Sequence, residues 1–173
     1  MTKSVEHTND GRYVIVNGRK WRATNPNIPA SLRAELVKEL MAARRAVKHA
    51  KGNETATAAA RTRVGHAKTA LGERGEPWWE PGTDEGLCRR IRSAIHALLA
   101  ARDPTSSICP SEAARIVAAP NWRPVMDTVR SVAVDMAAEG LIDVTQRGDR
   151  IGDPGRSKGP VRYRLAATHG TSD

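Results

Sequence analysis

The thiols, the histidines and one serine motif are the first places to look for chemistry in this chain. Cys88 and Cys109 are its two cysteines. Cys109 precedes Pro110, where a helix N-terminus would stabilise a thiolate. Set between Ile108 and Pro110, it reads instead as a small buried hydrophobe. Gly155-Arg156-Ser157-Lys158-Gly159 matches Gly-x-Ser-x-Gly. A nucleophile elbow needs a strand-to-helix turn, and this match falls in a loop before a strand. The five histidines show no ligand spacing, so no metal is expected. There is no Walker loop, Gly-x-Gly-x-x-Gly, His-Glu-x-x-His or Cys-x-x-Cys. The expectation is a protein that is not an enzyme and uses no cofactor.

What remains is the chemistry of cations. The 173 residues hold 28 Lys and Arg against 19 Asp and Glu, a net charge of +9. Such a balance suits a polyanion. Residues 1–80 carry 15 basic and 8 acidic residues, whereas residues 81–173 carry 13 and 11. The candidate nucleic-acid contacts form three groups. On one helix, Asn121, Arg123, Thr128 and Arg130 lie away from the apolar face. Arg suits guanine and Asn suits adenine there. Asp127, Asp135 and Glu139 on the same helix oppose DNA, and Asp127 is spaced to pair with Arg123 or Arg130. In the loop 147–160, Arg147, Arg150, Arg156 and Lys158 offer backbone contacts, with Arg162 and Arg164 following and Asp149 and Asp153 opposing. Lys20 and Arg22 form the third group. Trp78 and Trp79 are candidates for partner binding, or for anchoring a linker to an adjoining core.

These groups need elements to position them. Tyr13-Val14-Ile15-Val16 and Arg19-Lys20-Trp21-Arg22 flank Asn17-Gly18, a strong hairpin signal because both turn residues need φ > 0. The implied register pairs Val14 with Trp21 and Tyr13 with Arg22. Val14, Val16 and Trp21 then share the face expected to be buried. Tyr13 and Ile15 share the other with Lys20 and Arg22. That second face either grips a phosphate backbone or is simple cross-strand packing with a cation–π contact. Pro29 suits the first helical position. Leu32, Leu36, Leu40, Ala43 and Val47 follow at helical spacing, with Arg44, Arg45 and Lys48 near the C-terminal end. Asn53 can cap a second helix bearing Ala56, Ala60, Val64, Ala67 and Leu71. Its alanine-rich seam buries little area, so the helix pair is expected to lean on the β-hairpin or on a second copy.

Prolines and a glycine around Trp78-Trp79 mark a boundary. Beyond it, Thr83 caps a helix with Leu87, Ile91, Ile95 and Leu98 on one face. A short extended stretch reaches Ile108. Pro110 opens a second helix with Ala113, Ile116 and Val117. Asn121 is placed to cap a third, bearing Val125, Val129, Val132 and Met136 and stopped by Gly140. Leu141–Gln146 reads as a strand, and Val161, Tyr163 and Leu165 alternate with Arg162 and Arg164 as a second. Between them, residues 147–160 hold four Gly and two Pro. Helix, short strand, helix, helix, strand, loop, strand is the order of a winged helix.

Ser107-Ile108-Cys109-Pro110-Ser111-Glu112-Ala113-Ala114-Arg115, Asn121-Trp122-Arg123-Pro124-Val125-Met126 and Ala137 to Gln146 carry a resemblance. With Gly159 to Leu165, they resemble an uncharacterised bacterial domain-of-unknown-function family with a winged-helix-like fold, over about residues 87–165. Gly11 to Val16 and Gly72 to Trp79 are similar to actinobacterial proteins labelled "biopolymer transporter Tol". A transporter subunit of that kind needs a membrane anchor, and no segment here supplies one. The resemblances imply a fold and no activity, so no catalytic residue is carried over.

The expected fold is α+β: a β-hairpin with an antiparallel helical hairpin, then a winged helix-turn-helix. The expected divisions are a disordered tail at 1–10, the first unit at 11–76, a linker with the Trp pair at 77–83, the winged helix at 84–166, and a tail at 167–173. Phe is absent and hydrophobic residues are 39% of the chain, so both cores are thin. The longest uncharged run in the helical part, Ser93 to Ala101, is too short for a span. Residues 1–13 show no signal core. The chain is therefore expected to be cytoplasmic, with no membrane and no small-molecule substrate. Double-stranded DNA is the expected partner, as for a small regulatory protein. The alternative is an adaptor that binds another protein or a second copy through the winged helix and Trp pair.

Overall fold

The computed structural model describes residues 5–167. They form a mixed α and β fold with five α-helices and two small antiparallel sheets. Residues 1–4 of the first expected tail and 168–173 of the second lie outside the described residues. The first sheet joins β1 (Glu6–His7), β2 (Tyr13–Val16) and β3 (Arg19–Arg22) in sequence order. Glu6 and His7, within the segment expected to be a tail, pair with Ile15 and Val14. Asn17 and Gly18 take φ of +51° and +73°. The turn sets the register expected, Tyr13 opposite Arg22 and Val14 opposite Trp21.

Burial on that sheet departs from the expectation. Val16 is 42% exposed and Trp21 45%. The residues that come down on the sheet are Trp78 and Trp79, and Trp79 packs on the Tyr13 side. The face carrying Tyr13 is therefore the covered one, and the face carrying Trp21 is left open.

Helices α1 (Ala30–His49) and α2 (Glu54–Ala70) make the helical hairpin. Pro29 stands at the N-cap rather than the first helical position. The Asn53 side chain caps α2 by accepting the Ala56 N–H at 2.9 Å. The hairpin packs mainly on α3 (Asp84–Ala101), which Thr83 caps by accepting the Gly86 N–H. Ile91, Ala94, Ile95, Ala97, Leu98 and Leu99 are all buried on α3. This helix is apolar around most of its circumference, as a helix at the centre of a core must be. One apolar cluster runs from Ile28 on the first unit to Tyr163 near the C-terminus.

Charged staples reinforce the packing between units. Arg102, just after α3, forks onto Glu35 of α1 at 2.7 and 2.9 Å, and onto Glu112 at 2.6 Å. These planar, charge-assisted contacts hold the guanidinium charged, well above its ordinary value. Arg90 is largely buried and donates to the Ala70 and Ile116 carbonyls. Burial lowers its pKa to about 10. The carbonyls lie at helix ends, where the dipole favours a cation.

Helix α4 (Pro110–Ala118) opens on Pro110, and Glu112 accepts the Cys109 N–H at 2.6 Å. Cys109 is half-buried, less enclosed than expected. A 3-10 turn (Arg123–Val125) then leads into α5 (Met126–Ala138). Asn121 caps nothing: its side chain is exposed, and the 3-10 turn stands where α5 was expected to begin. Pro124 explains this, because it supplies no N–H and fixes φ in the first turn. Gly140 ends the helical segment at φ +73°. The second sheet has the order β5 (Asp149–Arg150), β4 (Ile142–Gln146), β6 (Arg162–Leu165). Ile108 bridges to Tyr163 on the outer side of β6. The expected long loop thus holds a strand, β5, and a second 3-10 turn (Pro154–Arg156). Leu165, expected to face the core, is exposed.

Candidate nucleic-acid interface

The helix group is only partly available. Arg123 is exposed and lies over the Trp122 ring at 4.7 Å, while Arg115 lies over the same ring at 4.9 Å. Thr128 and Arg130 are half-buried. Arg130 donates to the Gly159 carbonyl at 3.4 Å, which ties α5 to the 147–160 loop. The expected pairing of Asp127 with Arg123 or Arg130 does not occur among the ion pairs of the described residues. At the other end of α5, Glu139 is clamped by both Arg92 amino groups, at 2.6 and 2.7 Å. This contact holds the Glu139 carboxyl below the usual range.

The loop cations divide into two sets. Asp143 is 4% exposed. Arg150 reaches it at 2.9 Å and Arg164 at 3.7 Å. A buried carboxylate needs such partners. Arg162 bonds the Ser107 hydroxyl and carbonyl. These three are engaged within the domain. Arg147, Arg156 and Lys158 are exposed, and Arg156 holds only a loose 3.5 Å contact with Asp153. Arg147 and Gly148 sit at a tight β4–β5 turn, with φ of +54° and +95°. The Gln146 amide bonds the Lys158 and Pro160 carbonyls, fixing the loop backbone while leaving the Lys158 amine outward.

The hairpin group and the Trp pair meet each other. Lys20 lies over the Tyr13 ring at 4.0 Å, which is the cross-strand packing reading. Arg22 donates to the Gly75 carbonyl at 2.7 Å and lies over Trp79. Trp79 packs edge-on against Tyr13 and Trp78. The Trp78 indole N–H donates to the Ala23 carbonyl at 3.0 Å. Both tryptophans are half-buried and fasten the linker to the first sheet.

Several polar groups carry no signal in the sequence. Glu39, 2% exposed, accepts two bonds from Arg63 at 2.7 and 2.9 Å. His66 and His96 stack at 4.4 Å between α2 and α3. Burial, with a smaller contribution from Arg92, lowers the His66 pKa. Burial, then His66 and Arg92, lower that of His96 to about 4, against a weaker opposing pull from Glu139. Among the described residues no three His, Cys, Asp or Glu side chains gather as a metal site would require. No helix among them is long and apolar enough to cross a membrane.

No curated protein matches the chain. Residues 88–166 match the model of a family described as "Protein of unknown function (DUF3253)", which agrees with the resemblance of the motifs between α3 and β6 to an uncharacterised domain-of-unknown-function family.

Proposed function

We propose that this chain is a small, non-enzymatic, cytoplasmic protein that associates with double-stranded DNA through a winged helix-turn-helix, holding mainly the phosphate backbone. Helix α3, the Ile108 bridge, α4, α5 and the β4–β6 sheet follow one another in the order of that fold. The observation that carries the reading is the contact between Arg130 and Gly159. It joins α5 to the loop bearing Arg156 and Lys158, so a helix and a cationic loop offer adjoining surfaces to one duplex. Glu139 is neutralised by Arg92, which lessens the repulsion that α5 would otherwise present. The Trp pair lends no support to an adaptor, because both rings are occupied by the chain itself.

The test is retention of a labelled duplex at two salt concentrations. Arg123, Arg147, Arg156 and Lys158 are exposed, and about four neutralised phosphates give a log–log salt slope of roughly −3.6. The double variant R147E/K158E should flatten that slope by about half with no change in melting temperature. No retention at about 50 mM salt would overturn the proposal.

A further inference from the structure

A cleft of about 510 Å³ opens beside the uncovered face of the first sheet, where α1 and α2 contribute Arg44 and Lys68 to its wall. That volume falls within the roughly 300–1,000 Å³ of small-ligand sites. Trp21 and Val16 line it and are the exposed apolar residues of the sheet. Arg19 lies two residues from Trp21 on the same face of β3, its guanidinium 5.3 Å from the ring centroid. The Lys68 amine lies 5.5 Å from the same centroid. Arg44, Arg19 and Lys68 have no carboxylate partner among the ion pairs of the described residues. Glu73, the acid in the lining, is bonded to the Thr24 hydroxyl at 2.8 Å.

These groups are costly as they stand. A large indole is left partly in water, and the cations of the cleft outnumber its one carboxylate, Glu73. Burial lowers the Lys68 pKa; Glu73 opposes this, while Arg44 and Arg74 add repulsion. A ligand that relieves both costs must bring a flat π face and a negative charge a few ångströms apart. An unpaired nucleotide has that form, because an exposed base can stack on an aromatic ring while its phosphate meets the basic groups. In a duplex the bases are stacked on each other and unavailable to Trp21. An acidic peptide supplies the charge without the flat face.

We propose that this cleft binds an unpaired nucleotide of a single-stranded nucleic acid, its base on Trp21 and its phosphate among Arg19, Arg44 and Lys68. The inference rests on the nucleic-acid reading above but uses another surface and another strand state. The experiment compares a labelled thymidine oligomer with a labelled duplex on the full chain, using W21A, W21F, R44E and R147E/K158E. W21A should weaken the single strand about tenfold or more, with W21F recovering most of the loss. R44E should weaken it as well. Duplex affinity should be unchanged by W21A and reduced by R147E/K158E. Equal melting temperatures would establish that W21A is folded, as the exposure of Trp21 leads us to expect.

Single-strand binding indifferent to W21A overturns this inference and leaves the duplex reading intact. Loss of duplex and single strand together in W21A also overturns it. Equal competition by polyglutamate overturns it in favour of a merely cationic or peptide-binding surface. Single-strand binding through Trp21 with no duplex retention supports it and overturns the winged-helix proposal, whereas no binding of either nucleic acid overturns both.

Discussion

Acidification from pH 7.5 to 5 should destabilise this protein through one pair of side chains. His66 and His96 stack between α2 and α3, with Arg92 close enough to repel a proton on either ring and its ion-pair partner Glu139 exerting a weaker opposite pull on His96. An unfolded histidine takes its proton near pH 6.5, whereas folding lowers the His96 value to about 4. Below pH 6.5 protons therefore favour the unfolded chain. The stabilisation is fully present above pH 6.5, declines between pH 6.5 and about 4, and is gone below. At pH 5 an unfolded His is about 97% protonated and a folded one with a pKa of 4 about 9%, which integrates to about 2 kcal/mol. His96 is only half-buried, and solvent screening reduces this to about 1 kcal/mol. His66 shifts in the same direction. The carboxylates held below their usual values, Glu112 and Glu139 among them, act in a lower window, chiefly below about pH 4.5. The assay is urea unfolding at the two pH values for the natural chain and for H96Q. The variant should lose about 1 kcal/mol less than the natural chain. Equal losses, or an NMR titration of His96 near pH 6.5, would refute the reasoning.

Two further perturbations test the packing. R63A leaves the Glu39 carboxylate, 2% exposed, without its cation; urea unfolding should show a loss of about 3 kcal/mol, and R63M/E39L should regain most of it. G72A places a Cβ at 3.1 Å from the Trp78 ring on a backbone with φ +79°. It should cost roughly 1–2 kcal/mol, lower the melting temperature by about 3 °C for each kcal/mol, and alter tryptophan emission.

Local signals carried over well where a backbone conformation or a cap demanded a particular residue. Asn17-Gly18 specified a turn and therefore a register, and Asn53 and Thr83 cap the helices that follow them. The face of the first sheet was misjudged because burial depends on what arrives from elsewhere. Trp79 comes to Tyr13 from the linker after α2, and no period within β2 or β3 encodes that. Arg147-Gly148 turns the chain much as Asn17-Gly18 does, but Arg has no preference for φ > 0 and gave no hairpin signal. The role of α3 was half legible. Ile91, Ile95 and Leu98 announced one apolar face, whereas buried Ala94, Ala97 and Leu99 extend it to several neighbours. Small residues at such positions report close approach only once the neighbours are known.

The same dependence on context governs charge. A cation contributes to attraction for a polyanion only in so far as the fold has not already answered it. Arg63 is matched to Glu39, Arg102 to Glu35 and Glu112, and Arg150 and Arg164 to Asp143. Arg22, Arg90 and Arg162 are turned on backbone carbonyls. Planar guanidinium forks suit these inward contacts, so many of the arginines behind the net charge stabilise the fold rather than recruit a partner. Among the cations left outward, two groups contrast most, those of the 147–160 loop and those of the Trp21 cleft. The first is glycine-rich, can follow a backbone, and carries no exposed aromatic; the second is walled by helices and holds one. A cationic loop without aromatics discriminates little beyond charge, whereas a walled indole discriminates stacked bases from unstacked ones. The two surfaces should therefore respond differently to the same polymer, the loop to ionic strength and the cleft to strandedness.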